Sequence, residues 1–292
     1  MFASLTNGLS ELFFSLYWLG HPKADFYRSP IYRLLDLILV YGRNSDGLFY
    51  NAINLKTQTV IDDRIADTWG YILNAYYTVY LVDKKIEYID AVRKPFKALN
   101  LEYRNYDWEP RKGLALGSHD GYADALESGI NLLNRENDFD LGQWIDSEIQ
   151  VMFGMQQADG IIEGWHGDGN FARTSLMYGL WKTQGARLSP WNPNLRLGAT
   201  SSEKETYFIL STQVDWEGLL IFDPMRHKSI LKLPVDYPRI NQFPEWFSVD
   251  PNRDYQIIAS ESKISRTYSG HELLEGIRLK LLAGEMLTFV IK

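Results

Sequence analysis

The sequence predicts a two-domain α+β protein in which helical hairpins are followed by an antiparallel β-sandwich. Over residues 1–188 the apolar residues recur at helical spacing, whereas residues 195–292 hold short β-rich runs between turn residues. A turn-rich linker separates the two parts and contains Gly185, Pro190, Asn192, Pro193 and Asn194. The length of 292 residues also exceeds the roughly 100–200 residues of a typical single domain.

About seven helices are expected in the first domain because apolar stripes there end at Gly, Pro, Asn or Asp. In Leu34, Leu35, Ile38 and Leu39 such a stripe is clear, and it marks a face turned to the core. We expect no strand among these helices. The helices are predicted near residues 5–18, 30–41, 64–82, 84–98, 119–134, 142–156 and 169–184.

The second domain is expected to be a β-sandwich because its β-rich runs are short and regularly interrupted by turns. Each run is dominated by aliphatic and aromatic residues, as is usual for half-buried strands. The runs cover residues 207–210, 219–222, 230–233, 255–258, 279–281 and 287–291.

Composition excludes several functions. The net charge of −7 and the absence of a basic patch argue against a nucleic-acid partner. Cysteine is absent, which excludes disulfides, thiolate metal sites and a cysteine nucleophile but leaves the localisation open. The apolar stretch 13–19 is too short to span a membrane and lacks the basic flank of a signal peptide, so we expect no membrane partner.

Three helix starts resemble one another and indicate an internal repeat. They begin near Asp67, Asp120 and Asp168, which lie 53 and 48 residues apart. A period near 50 residues accommodates one helical hairpin, and stacked hairpins can curve into a ring. The starts of the inner helices would then surround one mouth. Simple helix capping is the alternative role of each aspartate.

Two of these starts carry further polar residues that capping does not explain. Residues 117–122 and 163–170 each combine a histidine, an aspartate, an aromatic residue and glycines. His119 and His166 occupy equivalent positions, just before Asp120 and Asp168. We therefore expect the functional site at these two helix starts.

Helical hairpins with aspartate-rich inner starts, followed by a β domain, resemble the six-hairpin (α/α) toroid enzymes that degrade polysaccharides. That group includes glycoside hydrolases, among them unsaturated glucuronyl hydrolases, and uronate polysaccharide lyases with an appended β-sandwich. The resemblance implies an oligo- or polysaccharide substrate. A full toroid has twelve helices, so this chain is similar to a partial toroid. Either the ring is incomplete, or another chain or a missing N-terminal segment completes it.

Glycoside hydrolysis commonly uses two carboxyl groups, one protonated and one ionised. Asp120 and Asp168 are the expected catalytic pair, drawn from a pool that also contains Asp67, Asp124 and Glu163. Asp124 follows Asp120 by one helical turn on the same face, so we expect it to orient its neighbour.

A uronate lyase would need a base and a group that steadies negative charge on the substrate. His119, His166 and Tyr122 are candidate bases, and Asn170 and Arg173 are candidate stabilisers. A salt bridge to a neighbouring helix is the alternative role of Arg173. Hydrolysis is favoured because acidic residues dominate the expected mouth.

Aromatic residues near the helix starts could stack on sugar rings. The candidates are Trp69, Trp108, Tyr122 and Trp165. No cofactor or metal is expected, although imidazole and carboxylate groups of the two starts could hold a divalent ion. The third hypothesis is a non-catalytic glycan-binding or assembly subunit.

Overall fold

A computed structural model describes residues 2–108, 120–162, 169–202, 204–234, 243–260 and 264–292. The described residues up to Thr174 form one compact unit, and those from Ser175 onward form a second. The first unit is mainly helical and the second mainly antiparallel β. This confirms the α+β class and the division into two parts. The boundary falls earlier along the chain than the predicted turn-rich linker.

The first unit contains seven of the described helices, and an eighth begins at its end. Several bounds are close to the predicted ones, but α2 begins at Lys23 rather than at residue 30, and Pro95 divides the predicted helix 84–98 into two. The helices are α1 (Phe2–Trp18), α2 (Lys23–Tyr41), α3 (Trp69–Asp83), α4 (Ile86–Arg93), α5 (Phe96–Glu102), α6 (Asp120–Glu136), α7 (Phe139–Gly154) and α8 (Asn170–Thr183).

A β-hairpin interrupts the helices, contrary to the prediction. Strands β1 (Tyr50–Asn54) and β2 (Thr59–Ile65) pair antiparallel. The Asn54 side chain accepts hydrogen bonds from the backbone N–H groups of Lys56 and Thr57 and so closes the turn. Because β2 uses the β-branched residues before Asp67, helix α3 begins at Trp69 rather than at residue 64.

Helices α3 and α6 are the most buried helices described in the first unit. Helix α3 packs against α1 and α6, while α2, α4 and α7 pack against α1, α3 and α6 respectively. From Trp69 to Val79 all residues of α3 except Tyr77 are buried, and α6 is buried from Gly121 to Leu133 apart from Asp124. A helix buried on most of its faces lies inside a layered fold.

Two glycines allow unusually close contacts at the starts of α3 and α6. A Cβ atom on Gly70 would lie 2.1 Å from the Cβ of Ser128, and one on Gly121 would lie 1.7 Å from the carbonyl oxygen of Trp108. Neither position can carry a side chain without displacing its neighbour. The start of α3 therefore packs against the middle of α6, and the start of α6 packs against Trp108.

The second unit contains a five-stranded sheet of order β10-β9-β12-β5-β4 and a three-stranded sheet of order β11-β6-β3, both antiparallel. A parallel bridge joins β7 (Asp223–Pro224) to β8 (Ser248–Val249). The strands of the two sheets are β3 (Arg187–Ser189), β4 (Leu195–Ser201), β5 (Thr206–Thr212), β6 (Trp216–Ile221), β9 (Asp254–Ala259), β10 (Ser265–Ser269), β11 (Ile277–Leu281) and β12 (Met286–Ile291).

Both sheets contribute to one hydrophobic cluster of the second unit. Phe208 and Phe289 of the larger sheet share it with Leu220 and Ile277 of the smaller one. Phe208 and Phe289 stack with ring centroids 5.1 Å apart. A short helix, α9 (Gly270–Glu275), starts with a capping box.

The predicted strand 230–233 is wrong. The chain forms a π-helical turn over Arg226–Ile230, and Ile230 is 62% exposed. The physical reason lies at the start of the turn, where His227 is buried and its backbone N–H donates to Glu245 Oε1 at 2.7 Å. In the described ranges, no helix is long and apolar enough to cross a lipid bilayer.

Replacing Gly70 by alanine is expected to destabilise the protein by about 1–3 kcal/mol, because the new methyl group would overlap Ser128. Gly8→Ala is the matched control on another helix, since nothing lies within 4 Å of its Cβ position. This control should raise stability by about 0.5–1 kcal/mol. Urea unfolding measures both, and equal effects of the two substitutions would contradict the close approach.

Candidate functional site

Four carboxyl groups gather where α3 and α6 begin. Asp67 lies two residues before α3, and its Oδ2 lies 3.4 Å from the position that a Cβ on Gly121 would occupy. Asp120 is the first residue of α6, and Asp124 and Glu127 follow it on one helical face. The acidic site therefore combines a loop residue with a stripe of α6.

A buried hydrogen-bond chain links this stripe to α3 and α8. The Tyr71 hydroxyl donates to Glu127 Oε2 at 2.6 Å and lies 3.3 Å from Asp124 Oδ1. Arg173 Nη2 donates to the same oxygen of Glu127 and lies 4.0 Å from Asp124 Oδ1. Thr174 fixes the start of α8 by donating to the carbonyl oxygen of Ala123 at 3.1 Å. One guanidinium and one phenol thus bind the same carboxylate oxygen.

Asp124 holds its proton to an unusually high pH. Burial is the largest cause, and the nearby charges of Asp67, Glu127 and Asp120 add to it, while Arg173 opposes them. Together they raise the pKa of Asp124 to about 7. The side chain of Asp124 is nevertheless 20% exposed, whereas that of Glu127 is fully buried. A carboxyl group that is protonated near neutral pH and reachable from solvent can serve as a general acid.

Burial and charge also change the pKa of the tyrosine. The pKa of the Tyr71 hydroxyl is raised far above its usual value, first by burial and then by the negative charges of Asp124 and Glu127. Tyr71 therefore stays a neutral phenol and acts here as a hydrogen-bonding group.

Two of the aromatic residues predicted to contact a ligand, Trp69 and Trp108, are buried. Trp69 is completely buried and packs edge to face on Trp144, with ring centroids 5.7 Å apart. Trp108 is 1% exposed and packs on Trp144 as well. Both rings belong to the core, because both are almost fully buried and both pack on Trp144.

Tyr122, the predicted ligand contact and candidate base, is also buried. It is 7% exposed, and its hydroxyl donates to the carbonyl oxygen of Tyr106 at 3.2 Å. Arg173 takes the salt-bridge role that was its alternative, through Glu127 on the neighbouring helix. Asn170 is the first residue of α8 and is half-buried.

Several predicted site residues lie outside the described residues. They are His119, Glu163, Trp165, His166 and Asp168. The expected pairing of Asp120 with Asp168 therefore stays a prediction, as does the alternative metal site at the two helix starts. Within the described ranges, no group of three or more His, Asp or Glu side chains is arranged to hold a metal ion.

Tyr71 and Glu127 were not among the residues predicted from the sequence, although their spacing carried a signal. Glu127 follows Asp120 by seven residues and Asp124 by three, which is the spacing of one helical face. Tyr71 follows Asp67 by four residues. Three acidic residues on one face of a largely buried helix indicate a shared polar site.

Comparison with known proteins does not place the chain in a family. No protein-family model matches the chain, and no curated protein is significantly similar to it in sequence.

The site predicts a pH dependence of stability. Because the pKa of Asp124 is raised from 3.8 to about 7, the folded state keeps this proton when the unfolded chain has lost it. The resulting stabilisation is complete below the unfolded value and is lost as the pH rises through about 7. The difference in unfolding free energy between wild type and Asp124→Asn should therefore fall with pH, by up to about 1.4 kcal/mol per pH unit.

Urea unfolding between about pH 4 and pH 8 measures this difference. The control is Asp25→Asn, since the Asp25 side chain is 90% exposed. The control variant should keep the wild-type dependence on pH. An unchanged slope in Asp124→Asn would contradict the assigned state of Asp124.

Proposed function

We propose that the protein is a carbohydrate-active enzyme that hydrolyses a glycosidic bond, with Asp124 as its general acid. The observation that carries this proposal is the pKa of about 7 at a carboxyl group that stays partly exposed beside Asp67 and Asp120. Hydrolysis of a glycosidic bond commonly needs one protonated and one ionised carboxyl group. The roles within the acidic stripe thus differ from the expectation that Asp124 only orients Asp120.

Asp120 is the proposed ionised partner in the described part of the site, at the first residue of α6. It lies one helical turn from Asp124 on the same face, nearer the start of the helix. Asp168 remains a second candidate for this role from the repeat pattern.

The proposed architecture is a partial (α/α) toroid followed by a β-sandwich. Its support is the contacts of α3 with α1 and α6, the packing of α2, α4 and α7 on these three helices, and two antiparallel sheets that share one hydrophobic cluster. In such a ring the inner helix starts line one mouth, where the carboxyl groups lie. A second chain or a further segment completing the ring is part of the same proposal.

Hydrolysis is favoured over β-elimination by the charges at the site. The guanidinium of Arg173 already binds the fully buried Glu127, so its charge is compensated within the protein. The carboxylate groups of Asp67 and Asp120 would repel those of a uronate polymer. The proposed substrates are therefore oligosaccharides without a high negative charge.

Asp124→Asn and Asp120→Asn are each expected to lower turnover by about 10²–10⁴-fold, because each removes a group used in proton transfer or charge stabilisation. The measurement is product analysis by mass spectrometry after incubation with neutral and uronate-containing oligosaccharides. Asp25→Asn is the surface control and should turn over like the wild type. Wild-type turnover in both site variants would overturn the proposal.

The same incubation distinguishes the two alternatives. A lyase would release an unsaturated product that absorbs in the ultraviolet and is lost in His119→Ala or His166→Ala. A non-catalytic glycan-binding subunit would bind an oligosaccharide in calorimetry without any product, and Asp124→Asn would leave that binding unchanged.

A further inference from the structure

The contacts of Tyr71 impose a direction on the hydrogen bonds of the acidic site. A phenol has one hydrogen to donate, yet the Tyr71 oxygen lies within hydrogen-bond distance of both Glu127 and Asp124. The contact with Glu127 is 2.6 Å and that with Asp124 is 3.3 Å, so the hydrogen belongs to the bond with Glu127. A hydrogen bond between Tyr71 and Asp124 must then use a hydrogen on the Asp124 carboxyl group.

Arg173 fixes the far end of this chain. Its guanidinium donates to the oxygen of Glu127 that also accepts from Tyr71, and it always carries a positive charge. Glu127 beside it is therefore held as a carboxylate, which can only accept hydrogen bonds. Reversal of the Tyr71 hydroxyl towards Asp124 would cost the charge-assisted bond to Glu127.

We propose that Tyr71 is a positioning residue that fixes the site's proton on Asp124, by donating its own hydrogen to Glu127 and accepting one from the Asp124 carboxyl. The proton on Asp124 then lies between its carboxyl oxygen and the phenol oxygen. When Asp124 loses the proton, two oxygens face each other with no hydrogen between them, unless Tyr71 turns away from Glu127. These hydrogen bonds therefore favour the neutral form of Asp124 over its carboxylate.

The other charged groups facing Asp124 act in both directions. Asp67 before α3 and Asp120 and Glu127 on α6 favour the protonated form, while Arg173 on α8 disfavours it. Tyr71→Phe leaves these charged residues in place and removes both hydrogen bonds of the phenol, so it tests the whole link from Glu127 through Tyr71 to Asp124. In catalysis, Tyr71 would keep the general acid protonated. This consequence rests on the hydrolase proposed above.

The test is a titration of Asp124 that needs no substrate. Aspartate labelled with an NMR-active isotope at its carboxyl carbon is incorporated, and the Asp124 signal is identified by its absence from Asp124→Asn. We expect the midpoint in Tyr71→Phe to fall by about one pH unit relative to wild type. An unchanged or higher midpoint would overturn the proposal.

Tyr76→Phe is the matched control. Tyr76 lies on the same helix, is completely buried, and donates to the carbonyl oxygen of Leu35 at 2.7 Å. Its substitution removes one buried hydrogen bond of similar length and should lower stability without moving the Asp124 midpoint. A lower midpoint in both variants would assign the effect to a general loosening of α3 and would contradict the specific role of Tyr71.

A second measurement on the wild-type protein keeps the proposal testable if Tyr71→Phe does not fold. The ring carbon that bears the Tyr71 hydroxyl should change its NMR shift with the same midpoint as Asp124, because ionisation of Asp124 removes a hydrogen bond from that oxygen. A Tyr71 signal that does not follow the Asp124 titration would overturn the proposal. Loss of turnover plays no part in either readout, so a failure of the hydrolase proposal would be seen separately in the product analysis.

Discussion

The contact between α3 and α6 at Gly70 and Ser128 is the constraint on which the site depends. The absence of a side chain at Gly70 lets the start of α3 pack against α6 at Ser128, and this brings Tyr71 within reach of Asp124 and Glu127. A wider spacing would leave Glu127 buried without the phenol that binds it. Packing of the first unit and chemistry of the site are thus two results of one helix contact.

The same contact makes the site costly for stability. A fully buried glutamate costs desolvation energy that a salt bridge to Arg173 only partly returns. Apolar residues of similar size would often be as stable or more stable at such positions. The buried Glu127 thus departs from the apolar packing found at most other buried positions of α3 and α6. Such departures are expected at functional sites.

Local patterns in the sequence predicted most helices and the polar helix starts. Helix α6 was predicted because its apolar spacing and its opening aspartate are both local signals. The hairpin β1–β2 was missed, since its strands are short and its outer faces are solvent-exposed, which leaves little alternation to read. The π-helical turn at Arg226 was missed because its cause, the bond from His227 to Glu245, comes from a distant part of the sequence.

The sequence could group the carboxyl groups of α6 but could not assign their protonation states. Asp120 and Asp124 could be assigned to one helical face from their spacing alone. Which of them is protonated depends on burial and on charges from α3 and α8, and neither is visible in a single stretch of sequence. Trp69 shows the same limit, because its local sequence does not distinguish a core residue from a ligand contact, whereas the structure buries it completely.

The proposed chemistry depends on a protonated Asp124, and its protonation state can be measured directly by infrared spectroscopy. The difference spectrum between wild type and Asp124→Asn at about pH 6 should contain the carbonyl band of a protonated carboxyl group, because the pKa of Asp124 is raised to about 7. The band should give way to carboxylate bands by about pH 8. Carboxylate bands alone at about pH 6 would contradict the account.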